Sequence, residues 1–376
     1  MLKKKKIVIA LNTAWNLFNF RAGLIRALVA AGYEVVAVAP NDSYAPRLAE
    51  LGCRYIALPM DNKGTNPLMD TILFFRFLRL FWQERPEVFL GYTIKPNIYG
   101  SLAAHLTGVA VINNIAGLGT AFIRDGWLTR LVRLLYKVAL SGSRHVFFQN
   151  NDDLALFVGR GLVAPDKVSR IPGSGIDLAA FRNQVSKQAQ SQSFSFLLVA
   201  RLLRDKGVGE YVEAARIVRR DNPAVKFQIL GFLDAQNPTA VTKAEMSAWV
   251  EEGVVEYLGV SDDVRPFLAA ADCVVLPSYR EGVPRSLLEA AAMAKPIVAT
   301  DVVGCRDVVT DRVNGLLCKV ADAKDLAGKM LEMLHLPYCE RNQMGLAGRA
   351  KMEEEFDEAV VINQYITRIN GLSFVN

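Results

Sequence analysis

From residue 6 onward, short unbroken apolar runs alternate with longer stretches whose apolar positions recur three and four apart. KIVIAL (6–11), EVVAVAP (34–40), RYIALP (54–59), EVFLGY (87–92), VAVINNIAG (109–117), HVFFQN (145–150) and KVSRIPGSG (167–175) are expected to be strands. Between them FRAGLIRALVAAG (20–32), LMDTILFFRFLRLFWQERP (68–86), NIYGSLAAHLTG (97–108) and LTRLVRLLYKVALSGS (128–143) carry helical spacing. Strands apolar along their whole length are buried on both faces, which requires a parallel sheet covered by helices on each side.

The polar run QVSKQAQSQSFS (184–195) interrupts this pattern and is expected to be a loop or linker. The alternation then restarts. FLLVARL, KFQILG, VVEYLG, CVVLPS and PIVATD read as strands, GVGEYVEAARIVRRD, DDVRPFLAAAD and SLLEAAAMA as helices; DVVTDRVNGLLCKV follows without an assigned element, and the C-terminal stretch reads as helical. Two tandem α/β domains follow, and 376 residues suit two. Ligands of such sheets bind beyond the carboxyl ends of the strands, so a cleft between two facing sheets is the place to look for chemistry.

Composition adds little until it is divided. Residues 1–174 hold 21 Lys and Arg against 11 Asp and Glu, and residues 175–376 hold 23 against 27. The N-terminal half is thus basic by +10 and suits an anionic partner. No uninterrupted apolar stretch is long enough to span a bilayer, and MLKKKKIVIALN reads as a first strand rather than a signal peptide. Five scattered cysteines without Cys-x-x-Cys spacing fit reduced thiols in a cytoplasmic protein.

Two strand-end segments hold the leading candidate chemistry. In SYREGVPRSLLEAAAMAKP (278–296), Glu281 precedes a Gly282–Val283–Pro284 turn, and Glu289 lies inside the helix that begins near Arg285. Two fixed carboxylates near the free amides of a helix start suit a sugar joined to a nucleotide; a capping glutamate with a partly exposed one is the alternative that spacing leaves open. In VARLLRDKG (199–207), Arg201 and Lys206 suit a diphosphate leaving group, or are two solvated cations. Weaker candidates are Gly175 in IPGSGID, Gly117 and Gly119 in IAGLGT, and Lys95 in GYTIKPNIYG, a loop expected to reach toward the cleft. There is no P-loop and no Asp-x-Asp, and the three histidines are far apart, so neither a metal site nor a cofactor is expected. The helices at 72–86 and 128–137 set Arg76, Arg79, Arg85, Arg130, Arg133 and Lys137 among aromatic and aliphatic residues, a pattern suited either to a lipid headgroup boundary or to covering the sheet.

Together, ARLLRDKG, the segment from VEYLG through REGVPRSLLEAAAMAKPIVATDVVG, and NGLL resemble the C-terminal domain of GT4-type retaining glycosyltransferases with the GT-B fold. NFRAGL, YTIKPNIYG and NNIAGLGTAF resemble the bacterial capsule, O-antigen and N-glycan branch, including lipid-linked N-acetylgalactosaminyltransferases. The resemblance implies an N-terminal acceptor domain over 1–175, onto which a helix at about 356–376 packs back, and a nucleotide-sugar domain over 176–355. By the same resemblance Arg201 and Lys206 hold the donor diphosphate, Glu281 contacts the sugar, Glu289 the ribose, and Gly282, Val283, Pro284 and Arg285 the sugar and phosphate, while Tyr257, Leu258 and Gly259 lie against the base. The implied reaction moves a sugar, an N-acetylhexosamine such as N-acetylgalactosamine, from a UDP-sugar to a polyprenyl-diphosphate-linked saccharide. The implied setting is peripheral, on the inner face of the cell membrane, with contact through the basic aromatic helices and no nucleic acid. The first loop departs from the family: NTAWNLFNFR stands in place of a Gly-Gly turn, which puts Asn16, Asn19 or Arg21 forward there. The loop YTIKPN lacks the histidine several members carry, leaving the acceptor base unassigned. A UDP-sugar epimerase on the same fold and a non-catalytic scaffold are the rival readings.

Overall fold

The computed structural model describes residues 4–61, 66–117, 127–182, 193–233, 237 and 239–372. The chain divides into two units, one formed by Met1–Ser174 with Glu358–Asn376 and the other by Gly175–Asp357. Gly119 and most of the expected linker, 184–192, lie outside the described residues.

Among the described residues unit 1 carries seven strands, β1 (Lys6–Ala10), β2 (Glu34–Ala39), β3 (Arg54–Ala57), β4 (Val88–Tyr92), β5 (Ala110–Ile115), β6 (His145–Phe148) and β7 (Val168–Arg170). Its helices are α1 (Ala14–Ala30), α2 (Pro67–Glu84), α3 (Ser101–Leu106), α4 (Trp127–Ser141) and α5 (Asn151–Gly159). The sheet is parallel in the order β3-β2-β1-β4-β5-β6-β7. Alternation along β1 explains both layers. Ile7 and Ile9 face a core completed by Leu17, Leu24, Ile25 and Leu28 of α1, whereas Val8 and Ala10 face Leu73, Phe77 and Phe81 of α2.

Unit 2 repeats the plan with β8 (Ser195–Val199), β9 (Lys226–Leu230), β10 (Glu256–Tyr257), β11 (Cys273–Leu276), β12 (Ile297–Thr300) and β13 (Gly315–Cys318), and with helices α6 (Val208–Asp221), α7 (Lys243–Glu251), α8 (Arg265–Ala270), α9 (Arg285–Ala292), α10 (Cys305–Val308), α11 (Ala323–His335) and α12 (Tyr338–Glu355). Its strand order is β10-β9-β8-β11-β12-β13, again parallel. Phe196 and Leu198 face α6 and α11, and Leu197 faces α9 and the end of α12. A last helix, α13 (Glu358–Asn370), belongs to unit 1, where Tyr365 is fully buried, accepts from Asn114 Nδ2 at 2.9 Å and lies 4.6 Å from Phe147 between ring centroids.

Two expectations are corrected here. NTAWNLFNFR is not a loop: Thr13 caps the Asn16 amide, and α1 begins at Ala14, so Asn16, Asn19 and Arg21 are all helical. Threonine at a helix start with Leu17 and Leu24 already on the buried face outweighs the polar look of the segment. The one-turn α10 and the longer helices α5, α7 and α11 have no counterpart among the expected elements. Start signals for the longer three were available, since Asn150, Thr242 and Asp322 each accept from an amide of the first turn.

Candidate functional site

In each sheet the strand order reverses at one point, between β1 and β4 in unit 1 and between β8 and β11 in unit 2. Chains leaving the two strands there diverge to opposite faces, which opens a crevice at their carboxyl ends. In unit 2 the segment after β8 carries Lys206 and the segment after β11 carries Glu281. Lys206 Nζ donates to Glu281 Oε1 at 2.5 Å, and both side chains are largely buried, at 15% and 13% exposure. An ion pair with so little water around it holds both groups in one geometry.

Close backbone packing forms the floor. Gly207 follows the turn Arg204–Lys206 with φ +71°, and a Cβ there would lie 2.1 Å from the Pro277 carbonyl oxygen. The Asp205 carbonyl accepts from the Tyr279 amide at 2.9 Å and the Ser278 hydroxyl at 3.2 Å, which ties the two segments together. Gly304, after β12, has φ +81°, and its Cβ would lie 2.2 Å from the Gly282 carbonyl oxygen. Gly231, after β9, is packed on the Ala200 carbonyl, where a Cβ would lie at 1.8 Å, and its amide donates to the Gly259 carbonyl at 2.9 Å. Only glycine allows these approaches, two of them at a left-handed φ.

The remaining expected residues fall around this floor. Arg201 is exposed, and its side chain has no ion pair among the described residues. Pro284 stands at the start of α9, which no side chain caps, and its carbonyl accepts from the Leu287 amide at 3.1 Å. Val283 packs on the apolar core beneath. Glu289 lies one turn into α9 and is not bare: Arg285 Nε donates to its Oε1 at 2.9 Å, and Arg285 Nη1 donates to the Gly175 carbonyl at 2.8 Å. Burial pushes the Glu289 carboxyl above its ordinary value, and Arg285 pulls against that rise. Gly175 itself turns at φ +69°. Tyr257 ends β10, with its hydroxyl donating to the Gly231 carbonyl at 2.9 Å; Leu258 packs on the core, and Gly259 turns at φ +77°.

In unit 1, Lys95 Nζ pairs with Asp70 Oδ1 of α2 at 2.7 Å, so the cation expected to reach outward is held against its own unit. Asn16 Nδ2, in the first turn of α1, donates at 2.9 Å to Oδ1 of Asn12, which precedes the helix. Gly117 has φ +144° after β5.

The reading from sequence missed that each carboxylate has a cation of its own. Arg285 and Glu289 were legible as a helical i,i+4 pair. Lys206 and Glu281 were not, being 75 positions apart. As a whole, unit 2 presents a fixed lysine and carboxylate, an exposed arginine, an uncapped helix start and close-packed glycines. Such a set can hold a charged diphosphate beside hydroxyl groups.

Comparison with known proteins agrees with this chemistry. Residues 193–335 match the family model described as "Glycosyl transferases group 1", and residues 20–173 match that of the "Glycosyl transferase 4-like domain". The chain is 28% identical over 367 residues to the N,N'-diacetylbacillosaminyl-diphospho-undecaprenol alpha-1,3-N-acetylgalactosaminyltransferase of Campylobacter jejuni, covering 93% of this chain and 94% of that one. It is 27% identical to the UDP-Gal:alpha-D-GlcNAc-diphosphoundecaprenol alpha-1,3-galactosyltransferase of Escherichia coli, over 72% and 70% of the two chains. Among solved structures, sucrose-phosphate synthase from Thermosynechococcus elongatus superposes with a TM-score of 0.80 at 19% identity, covering 98% of each chain. Anabaena HepE in complex with UDP and glucose gives 0.79 at 16% identity, covering 98% of this chain and all of that one. These structures share the fold expected from the sequence, two Rossmann-like parallel sheets of the GT-B type. None of these relatives is an epimerase.

Proposed function

The chain belongs to the group 1 glycosyl transferases, and from that premise we propose that it moves an N-acetylhexosamine from a UDP-sugar to a polyprenyl-diphosphate-linked saccharide, with retention at the anomeric carbon. The observation that carries this reading is the Lys206–Glu281 pair at the reversal point of the unit 2 sheet. Unit 2 takes the donor. Lys206 and Arg201 face the diphosphate, and their positive charge stabilises the negative charge that grows on it as the bond to C1 breaks. Glu281 holds sugar hydroxyls and keeps Lys206 in place. Glu289, oriented by Arg285, accepts from the ribose hydroxyls, and the Tyr257–Gly259 segment lies against the base. The electron pair of the C1–O bond leaves with UDP. The acceptor hydroxyl attacks C1 from the face UDP is leaving, and its proton passes to a departing phosphate oxygen.

Unit 1 takes the acceptor at the inner face of the cell membrane. Among the described residues no helix is long and apolar enough to cross a bilayer. Helix α2 covers the sheet with Phe77 and Phe81, yet Leu68, Ile72, Phe75 and Trp82 on its other side are exposed. Leu106 of α3 and Leu134 and Val138 of α4 are exposed too, and a groove lined by Phe74, Leu102, Leu106 and Val138 joins the three helices. Arg79, Arg85, Arg130 and Lys137 are also exposed on these elements. Apolar residues among cations fit an anionic lipid surface, each cation adding about 1 kcal/mol. The chain is expected to sediment with phosphatidylcholine vesicles containing phosphatidylglycerol and to stay in solution with phosphatidylcholine alone. Phe75→Ser with Trp82→Ser removes two aromatic anchors and is expected to weaken binding about tenfold or more. Equal sedimentation of wild type and variant would exclude this face.

The transfer itself is tested by UDP release from a panel of UDP-sugars, with and without a short-chain polyprenyl-diphosphate saccharide. Release that needs the acceptor and is lost in Glu281→Ala supports the reading. Conversion of a UDP-sugar to its isomer without an acceptor would replace it with an epimerase.

A further inference from the structure

The reversal point of the unit 1 sheet holds one group that the donor chemistry does not use. Arg21 lies in the second turn of α1, the helix that follows β1, and is 5% exposed. Its guanidinium carbon sits 4.3 Å from the ring centroid of Tyr92, the last residue of β4. Arg21, on the helix that follows β1, thus stands beside the carboxyl end of β4, next to the point where the order reverses and where sheets of this class take ligands.

What Arg21 lacks is an anion. Among the described residues no carboxylate pairs with it, and its buried Nε has no hydrogen-bond partner. Glu358 of α13 lies against Gly23 on the same helix. The phenols of Tyr92 and Tyr365, both buried, also feel its charge. An aromatic face attracts a guanidinium but offers it no lone pair, so the buried Nε donor is not satisfied there. Burying a cation without a counter-charge is costly, and a group retained in that state has a use for the charge. The basic balance of residues 1–174 attracts the same class of ligand.

We propose that Arg21 is an anion-binding residue of unit 1, which holds a phosphate oxygen of the diphosphate in the lipid-linked acceptor, with Tyr92 as the platform that fixes its guanidinium plane. The assignment rests on the lipid-linked acceptor reading, but its test does not need transfer to occur. The full chain, saturated with UDP so that the donor diphosphate site is filled, is titrated calorimetrically with farnesyl diphosphate, farnesol and inorganic pyrophosphate.

The wild type is expected to bind farnesyl diphosphate more tightly than either of the other probes. Arg21→Gln is expected to weaken that binding about tenfold or more, the loss of one charge-assisted hydrogen bond. Arg21→Lys keeps the charge and the stem, and is expected to weaken it about threefold, because an ammonium cannot lie flat on the ring as the guanidinium does. UDP affinity, measured separately, stays unchanged in both variants. Should Arg21→Gln fail to fold, Arg21→Lys decides. Unchanged farnesyl diphosphate binding in the variants would overturn the assignment. So would a parallel loss of UDP affinity, which moves Arg21 to the donor, or pyrophosphate binding as tight as that of farnesyl diphosphate, which makes the ligand free phosphate. If farnesyl diphosphate binds through Arg21 while no UDP-sugar is turned over, the transferase reading fails and the anion site stands.

Discussion

Lys206→Ala is expected to lower turnover by about 10²–10³-fold, the usual cost of losing one preorganised group that meets developing charge. The variant loses the cation that faces the leaving diphosphate. It also leaves Glu281, at 13% exposure, without its partner in a site where that carboxylate's own charge opposes an incoming anion. The second effect confounds the first, because removing one member of a largely buried pair also destabilises the fold. A double variant separates them. Lys206→Met with Glu281→Gln removes both charges at similar volume and is expected to recover most of the melting temperature lost in Lys206→Ala. It is expected to stay inactive in the UDP-release assay, because stability returns without the cation. Recovery of turnover along with stability would show that Lys206 acts only as the partner of Glu281 and take the diphosphate role away from it.

The second large effect is structural. Gly207→Ala places a methyl 2.1 Å from the Pro277 carbonyl oxygen at a residue with φ +71°. A left-handed φ costs a non-glycine residue about 1–2 kcal/mol. The collision adds to this, because the atom it meets is backbone, so the segments after β8 and β11 must move apart. Together about 3 kcal/mol of destabilisation is expected, seen as a fall of roughly 6–12 °C in melting temperature. The same movement pulls Lys206 from Glu281, and turnover at a temperature where the variant is folded is expected to fall about tenfold or more, as small misplacements at a reacting centre do. Gly253→Ala is the control. It has φ +73° with nothing within 4 Å of its Cβ, so it isolates the cost of the dihedral. If both variants lose the same stability and keep full turnover, the contact at Pro277 does not position the site.

Much of the fold was legible because parallel strands covered on both faces leave a local mark. VVAVA, VFLGY and CVVLP are apolar along their length, and the helices between them keep helical spacing. What failed locally was capping. Thr13 starts α1 ahead of Asn16, Asn19 and Arg21, and only the fit of Leu17 and Leu24 against the sheet decides between helix and loop there. The exposed apolar side of α2 was half legible. Its composition shows aromatic residues among arginines, but which of Phe75, Phe77 and Phe81 face the sheet depends on how the helix is rotated against β1 and β2.

The sequence by itself determined the two α/β units, the strand-end placement of Arg201, Lys206 and Glu281, and the membership of the family, because each is written in a contiguous stretch. The tertiary structure alone decided which charges meet. Lys206 reaches Glu281 across 75 positions, Lys95 is held by Asp70, and Arg21 is left on Tyr92 with no carboxylate partner among the described residues. The physical reason lies in the order of the strands. A parallel sheet brings together the ends of strands that are not neighbours in the chain, and the reversal of order between β1 and β4, and between β8 and β11, selects the two pairs of ends that stand side by side.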